Sequence, residues 1–199
     1  MKATISGLRF RDNYYSACTI NNNFFLCIVF LFLLLLLTGG STLMTGGIGL
    51  KPYSVERGAY APFPGQPQYL GRSKGDELDI IGYNYIDREN AFIYTYGSFK
   101  SDAFYNKTST IDSFLSGEIE SKRAKVLFKS VGRLENDGDK LGAYVQLQYK
   151  TEGLEIIQHL KIMLYDKVIH QWSIQDASGK SPTKSKALFY KYENEFFVK

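Results

Sequence analysis

The side chains best equipped for chemistry are few. His159 and His170 are the two histidines of this 199-residue chain, and Cys18 and Cys27 its two cysteines. Both cysteines precede Lys51, so the rest of the chain has neither a disulfide nor thiol chemistry. Strand alternation puts His159 with Ile157, Lys161 and Met163 on a wetter face, and His170 with Val168, Trp172 and Ile174 on a buried one. Two histidines facing apart, with no cysteine or spaced carboxylate between them, do not make a zinc site. Serine, histidine and aspartate all occur, but neither a G-x-S-x-G elbow nor an H-E-x-x-H helix does. Asp137, Gly138 and Asp139 lack the twelve-residue ligand spacing of a calcium loop and read as a turn. No catalytic residue, cofactor or metal is expected, and the chain reads as a non-enzyme.

Aromatic side chains are the other candidates. The chain holds 15 tyrosines and 14 phenylalanines, and Tyr83, Tyr85, Phe92, Tyr94 and Tyr96 alternate along two neighbouring strand candidates. Such a band packs beneath a helix by default. Where part of it is exposed, rigid amphipathic rings make a partner-binding face.

One stretch decides the compartment. Phe24 to Leu37 reads FFLCIVFLFLLLLL, and the run continues uncharged to Met44. Fourteen helical residues rise about 21 Å, short of a hydrocarbon core of about 30 Å, whereas Phe24 to Met44 is long enough. The reading is therefore a short basic tail (1–23), a membrane-spanning helix or signal sequence (24–44) contacting the lipid bilayer, a Gly/Pro-rich linker (45–75) and a folded domain (76–199). Lys2, Arg9 and Arg11, opposed by Asp12, hold the tail inside and put the domain on the exported, periplasmic or extracytoplasmic side. Two fates fit the stretch: an uncleaved signal-anchor, which the long tail favours, or cleavage after Thr38 and Gly40, which would release a secreted domain.

Three of the 24 basic and one of the 20 acidic residues precede Lys51, leaving +2 for the remainder. No face accumulates the Lys/Arg density that phosphate neutralisation requires, which argues against nucleic acid as a partner. Pro52, Pro62, Pro64 and Pro67 break every period between Thr45 and Gly75, the composition of an extended spacer. The domain then begins near Asp76, and truncation there should leave a folded monomer. Asp79–Ile86 and Ala91–Phe99 form a hairpin; Ser109 and Asp112 resemble a capping box opening a helix with Ile111, Phe114, Leu115 and Ile119 on one stripe. Strands follow at Val126–Leu134, Leu141–Tyr149, Ile156–Tyr165 and Val168–Gln175. A last helix is capped by Ser181, with Pro182 first and Leu188, Phe189, Tyr192 and Phe196 inward. Asn106-Lys107-Thr108 is a formal glycosylation sequon, which places that loop at the surface. The order ββ-α-ββββ-α gives an α+β fold, an antiparallel β-sheet packed with helices.

That order, with STIDSFL (Ser109 to Leu115), GAYVQLQY (Gly142 to Tyr149), LYDKVIHQWSI (Leu164 to Ile174) and ENEFFV (Glu193 to Val198) in place, resembles the PsbP-like and DcrB-like superfamily, which includes the Mog-type Ran-binding proteins. The likeness covers roughly Asp76 to the end. The usual Phe-x-x-x-x-Pro-x-x-Trp opening is missing. The resemblance implies a binding or assembly module without a shared catalytic set, as in photosystem extrinsic subunits, envelope proteins or GTPase regulators. It carries over no functional residue. The expected function is a membrane-tethered, non-enzymatic module acting on another envelope or membrane-complex protein; the alternative is a secreted domain binding a small or apolar ligand between sheet and helix.

Overall fold

Seven antiparallel strands carry the fold, and their register follows from alternation and turn chemistry. The computed structural model describes residues 49–75, 77–134, 140–178 and 182–199. The stretch Phe24 to Met44, the Asp137–Asp139 turn and the Ser181 cap lie outside the described residues. Among those described, neither helix is long and apolar enough to cross a membrane.

In chain order the elements are β1 (Lys51–Ser54), β2 (Ala59–Phe63), β3 (Gln68–Lys74), β4 (Asp79–Asp87), β5 (Phe92–Lys100), α1 (Thr108–Lys122), β6 (Lys125–Arg133), β7 (Leu141–Thr151), β8 (Leu154–Tyr165), β9 (Val168–Asp176), α2 (Pro182–Tyr192), a 3₁₀ turn (Glu193–Glu195) and β10 (Phe197–Val198). The large sheet runs β3-β4-β5-β9-β8-β7-β6, and a small one runs β1-β2-β10. From Asp79 onward the predicted order stands.

The linker does not. Residues read as a spacer form three strands, and the folded unit begins well before Asp76. The prolines mislead because Pro52 and Pro62 sit within strands while Pro64 and Pro67 lie in the connection to β3: Pro62 in β2 is buried and offers its carbonyl to the Trp172 indole N–H at 3.0 Å. Ala59, Ala61 and Phe63 enter the core, so a chain cut at Asp76 loses one wall of it.

Turns fix the register. Asp166 and Lys167 both have positive φ, the geometry of the primed turns that match strand twist, and the hairpin keeps one register from Tyr165↔Val168 to Ile157↔Asp176. Glu152 and Gly153 do the same between β7 and β8, which extends both strands beyond their expected ends. In the β4–β5 turn, Asp87 Oδ1 accepts the Asn90 backbone N–H at 3.1 Å.

The helices follow their apolar stripes. Ile111 and Leu115 bury fully beside Ala143, Val145, Leu147, Leu160, Ile162, Leu164 and Ile169, with Phe114 and Ile119 at the margin. The expected capping box is absent: Lys107 holds the N-cap position without a side-chain bond, Ser109 lies inside the helix, and Asp112 pairs with Lys129 at 2.6 Å. Arg123 closes the helix in the left-handed conformation, where backbone N–H groups return to Glu120 and Ile119.

Candidate functional site

The aromatic band sits where β4 and β5 pair, with Tyr83 opposite Tyr96 and Tyr85 opposite Tyr94. Alternation sends all five rings to one face of the large sheet, the face covered by β1-β2-β10 and α2. Phe92, Tyr94 and Tyr96 are buried, as the default core reading expects, so of the five only Tyr83 and Tyr85 are left for a partner face. Strands from the supposed spacer supply the cover that the sequence analysis did not foresee. Tyr83 and Tyr85 stay half-buried at the rim, where Tyr83 lies tilted against exposed Tyr69 with ring centroids 5.2 Å apart.

The histidines share that face. Met163 is opposite His170 and Ile174 opposite His159, so both rings point toward the small sheet and α2, and the expected wetter face for His159 is wrong. Lys161 and Met163 are fully buried with it. Four residues of strand separate the two rings along the hairpin, about 13 Å, too far to share a metal ion. Among the described residues, no three metal-ligating side chains come together.

Each histidine has a neutral partner. His170 Nδ1 lies 2.8 Å from the Tyr96 hydroxyl, and His159 Nε2 lies 3.2 Å from Ser185 Oγ. Burial lowers both rings to about 4, so both are neutral at pH 7. Burial also pushes the Tyr94 and Tyr96 hydroxyls far above their ordinary value. At neutral pH these rings and hydroxyls are therefore uncharged. Phe189 stacks on both His159 and the indole, its ring centroid 5.2 Å from Trp172 at 12° and 5.6 Å from His159 at 29°. Lys161 Nζ donates to the Glu193 and Phe196 carbonyls at 3.1 and 3.2 Å, tying the large sheet to the chain entering β10.

The opposite sheet face carries a polar chain beside the aliphatic core. Lys122 Nζ bonds Glu118 at 2.6 Å and Gln158 at 3.0 Å; Gln158 donates to Ser173 Oγ, which lies 2.6 Å from Thr95 Oγ1. Burial works against the Lys122 charge, but Glu118 and Tyr149 together outweigh it and leave the lysine above its usual value. At the β3 margin, Asp79 is gripped by Arg72 at 2.5 Å and Arg57 at 2.6 Å. The Arg72 bonds lead in holding its carboxyl below the usual range.

Exposed candidates lie at the two ends of the large sheet. On β6, Val126, Leu127 and Phe128 are 39, 41 and 47% exposed in succession; on β3, Tyr69 and Leu70 are 50 and 36% exposed. Beside the start of β6 is a cleft of about 460 Å³ lined by Lys122, Arg123, Lys125, Gln148, Tyr149, Lys150 and Glu155. Sequence reasoning missed this cleft because its residues come from four elements, α1, β6, β7 and β8. The signal present was KVLF (Lys125 to Phe128), an apolar run starting on a cation.

No protein-family model matches the chain, and no curated protein does. Solved structures do match the chain, two of them as follows. One is a cyanobacterial PsbP (CyanoP) from Synechocystis sp. PCC 6803, with a TM-score of 0.52 and 12% identity, over 80% of this chain and 98% of that one. The other is a protein of unknown function from Pseudomonas aeruginosa, described as a putative regulator, with a TM-score of 0.41 and 9% identity, over 72% of this chain and 94% of that one. The first match takes in nearly the whole of its counterpart, and the chain has a PsbP-like fold.

Proposed function

We propose that this chain is a non-enzymatic binding or assembly module, tethered by Phe24 to Met44 with its folded domain on the exported side of a membrane. There it acts on another envelope or membrane-complex protein. The observation that carries this reading is how the fold fills its own interior. Ile111 and Leu115 occupy the space between helix and sheet, and Trp172, Phe189 and Phe196 that between the sheets, while the histidines are paired and neutral. The groups left for function are on the sheet margins. The likeness to a cyanobacterial PsbP is in keeping with the accessory role that the sequence resemblance implies.

The test is the intact mass of the mature protein from native membranes, with carbonate extraction of the same sample. The proposal predicts a mass that includes Met1 to Leu37 and a protein that stays in the pellet. A mass beginning near Ser41, with the protein in the supernatant, contradicts the tether and turns the search to secreted partners.

A further inference from the structure

Resting on the reading of the domain as a binding module, we propose that the outer edge of β6 and the adjoining basic cleft dock an extended acidic segment of a partner protein, added to the large sheet as an eighth strand. Among the described residues β6 ends the sheet, with no strand on the outer side of its backbone. Unpaired N–H and C=O groups along a sheet edge are a template for another strand; lysines and a bulge on such an edge turn away a like-charged copy, which leaves an acidic strand as the one that matches it. This edge is nine residues long and shows three apolar side chains in succession. Register accounts for that run. Val126 lies opposite Leu147 and Phe128 opposite Gln146, so Leu127 is the extra residue of a bulge, and the three side chains fan out instead of alternating.

Charge selects the occupant. Strand β6 carries Lys125, Lys129 and Arg133 and no acid. Its first residue faces Gln148, so Tyr149, Lys150 and Thr151 of β7 continue past the point where β6 begins. The basic cleft opens at that step, with Lys122, Arg123, Lys125 and Lys150 against Glu155, itself bonded by Gln148. Lys129 is held by Asp112 and Lys122 by Glu118, so the charge an incoming strand meets is concentrated at the start of β6, at Arg123, Lys125 and Lys150. A second copy of β6 would set lysines and arginine against their own kind, whereas carboxylates alternating with apolar residues match both the charge and the exposed side chains. The other edge differs: β3 is seven residues long, and Asp79 pairs with its Arg72.

The probe is a labelled ten-residue peptide alternating glutamate with valine, titrated by fluorescence anisotropy into the full chain in detergent micelles. The same peptide with lysine for glutamate is the control. The proposal predicts saturable binding of the acidic peptide alone, weakened by salt, with slowed hydrogen exchange at the amides of Lys125–Arg133 and unchanged exchange in Gln68–Lys74. Lys125→Glu combined with Lys150→Glu should lower affinity at least tenfold without moving the unfolding midpoint. Equal binding of both peptides, absence of binding, protection on β3, unchanged affinity in the double variant, or dimerisation through β6 would each overturn it. A photo-reactive phenylalanine analogue placed at Phe128 or at exposed Tyr190, irradiated in native membranes, separates this proposal from the broader one. A partner adduct from Phe128 supports docking on β6. An adduct from Tyr190 alone overturns it and leaves the binding module standing, while no adduct from either counts against both.

Discussion

The two faces of the large sheet are stabilised by different chemistry. Beneath α1 the contacts are aliphatic, with Ile111 and Leu115 set among Val145, Leu147, Leu160 and Ile162. Beneath β1-β2-β10 and α2 they are aromatic with polar ends: Trp172 reaches Pro62, Tyr96 reaches His170, His159 reaches Ser185, and Lys161 reaches two carbonyls. Aliphatic packing is tolerant of shape so long as volume is kept, whereas a buried ring with a polar atom also needs its partner in place. The aromatic face is thus the one that specifies where β1-β2-β10 and α2 sit.

Removing one face's cover should have the largest effect. A chain starting at Asp76 loses Ala59, Ala61 and Phe63, and the loss of one such phenylalanine alone costs about 3 to 5 kcal/mol, a large share of the stability of a typical domain. That fragment should show no cooperative unfolding transition by circular dichroism, and a sharp transition would show that the aromatic face does not need its cover.

Single truncations come next. Trp172→Ala should destabilise by about 3 to 5 kcal/mol and also free the Pro62 carbonyl, while Leu115→Ala on the aliphatic face should cost about 2 to 5 kcal/mol. Urea unfolding measures both. The tryptophan variant should in addition speed hydrogen exchange in Ala59–Phe63, and the leucine variant should not.

Acid should act on the aromatic face through its two histidines. Both histidines are lowered by burial to about 4 in the folded chain, against about 6.5 when unfolded, so the unfolded state binds more protons between those values. Stability is full above about pH 6.5 and falls as pH drops toward 4, by up to about 3 kcal/mol per histidine. Denaturation at pH 7 and pH 4.5 checks this, and a slope unchanged by His159→Leu would remove His159 from the account. Tyr96→Phe should have the smallest effect, about 1 to 3 kcal/mol, because it leaves His170 Nδ1 without its hydroxyl.

How much the sequence revealed divides along the same line. Local periodicity identified β4 to β9 and both helices, because each has a stripe or an alternation of its own. It missed β1 to β3, where Gly58, Gly65, Gly71 and four prolines mask the pattern and the strands are defined by what they cover. The aromatic band and its default burial were visible, but not its cover, which comes in part from those missed strands. His159 was misassigned to a wet face for the same reason: alternation gives the side of a strand, not whether another layer lies on it. The basic cleft joins the end of α1, the start of β6 and the β7–β8 hairpin, a neighbourhood that no sequence window contains.

If the interior is structural and binding is at the margin, stability and binding can be broken separately. The direct measurement is acidic-peptide affinity and unfolding free energy in the same two variants, Tyr96→Phe and Lys125→Glu with Lys150→Glu. The account predicts that Tyr96→Phe loses stability at unchanged affinity, and that the double charge reversal loses affinity at unchanged stability. A loss of peptide binding in Tyr96→Phe, with none in the charge-reversed protein, would contradict it and return the site to the aromatic face.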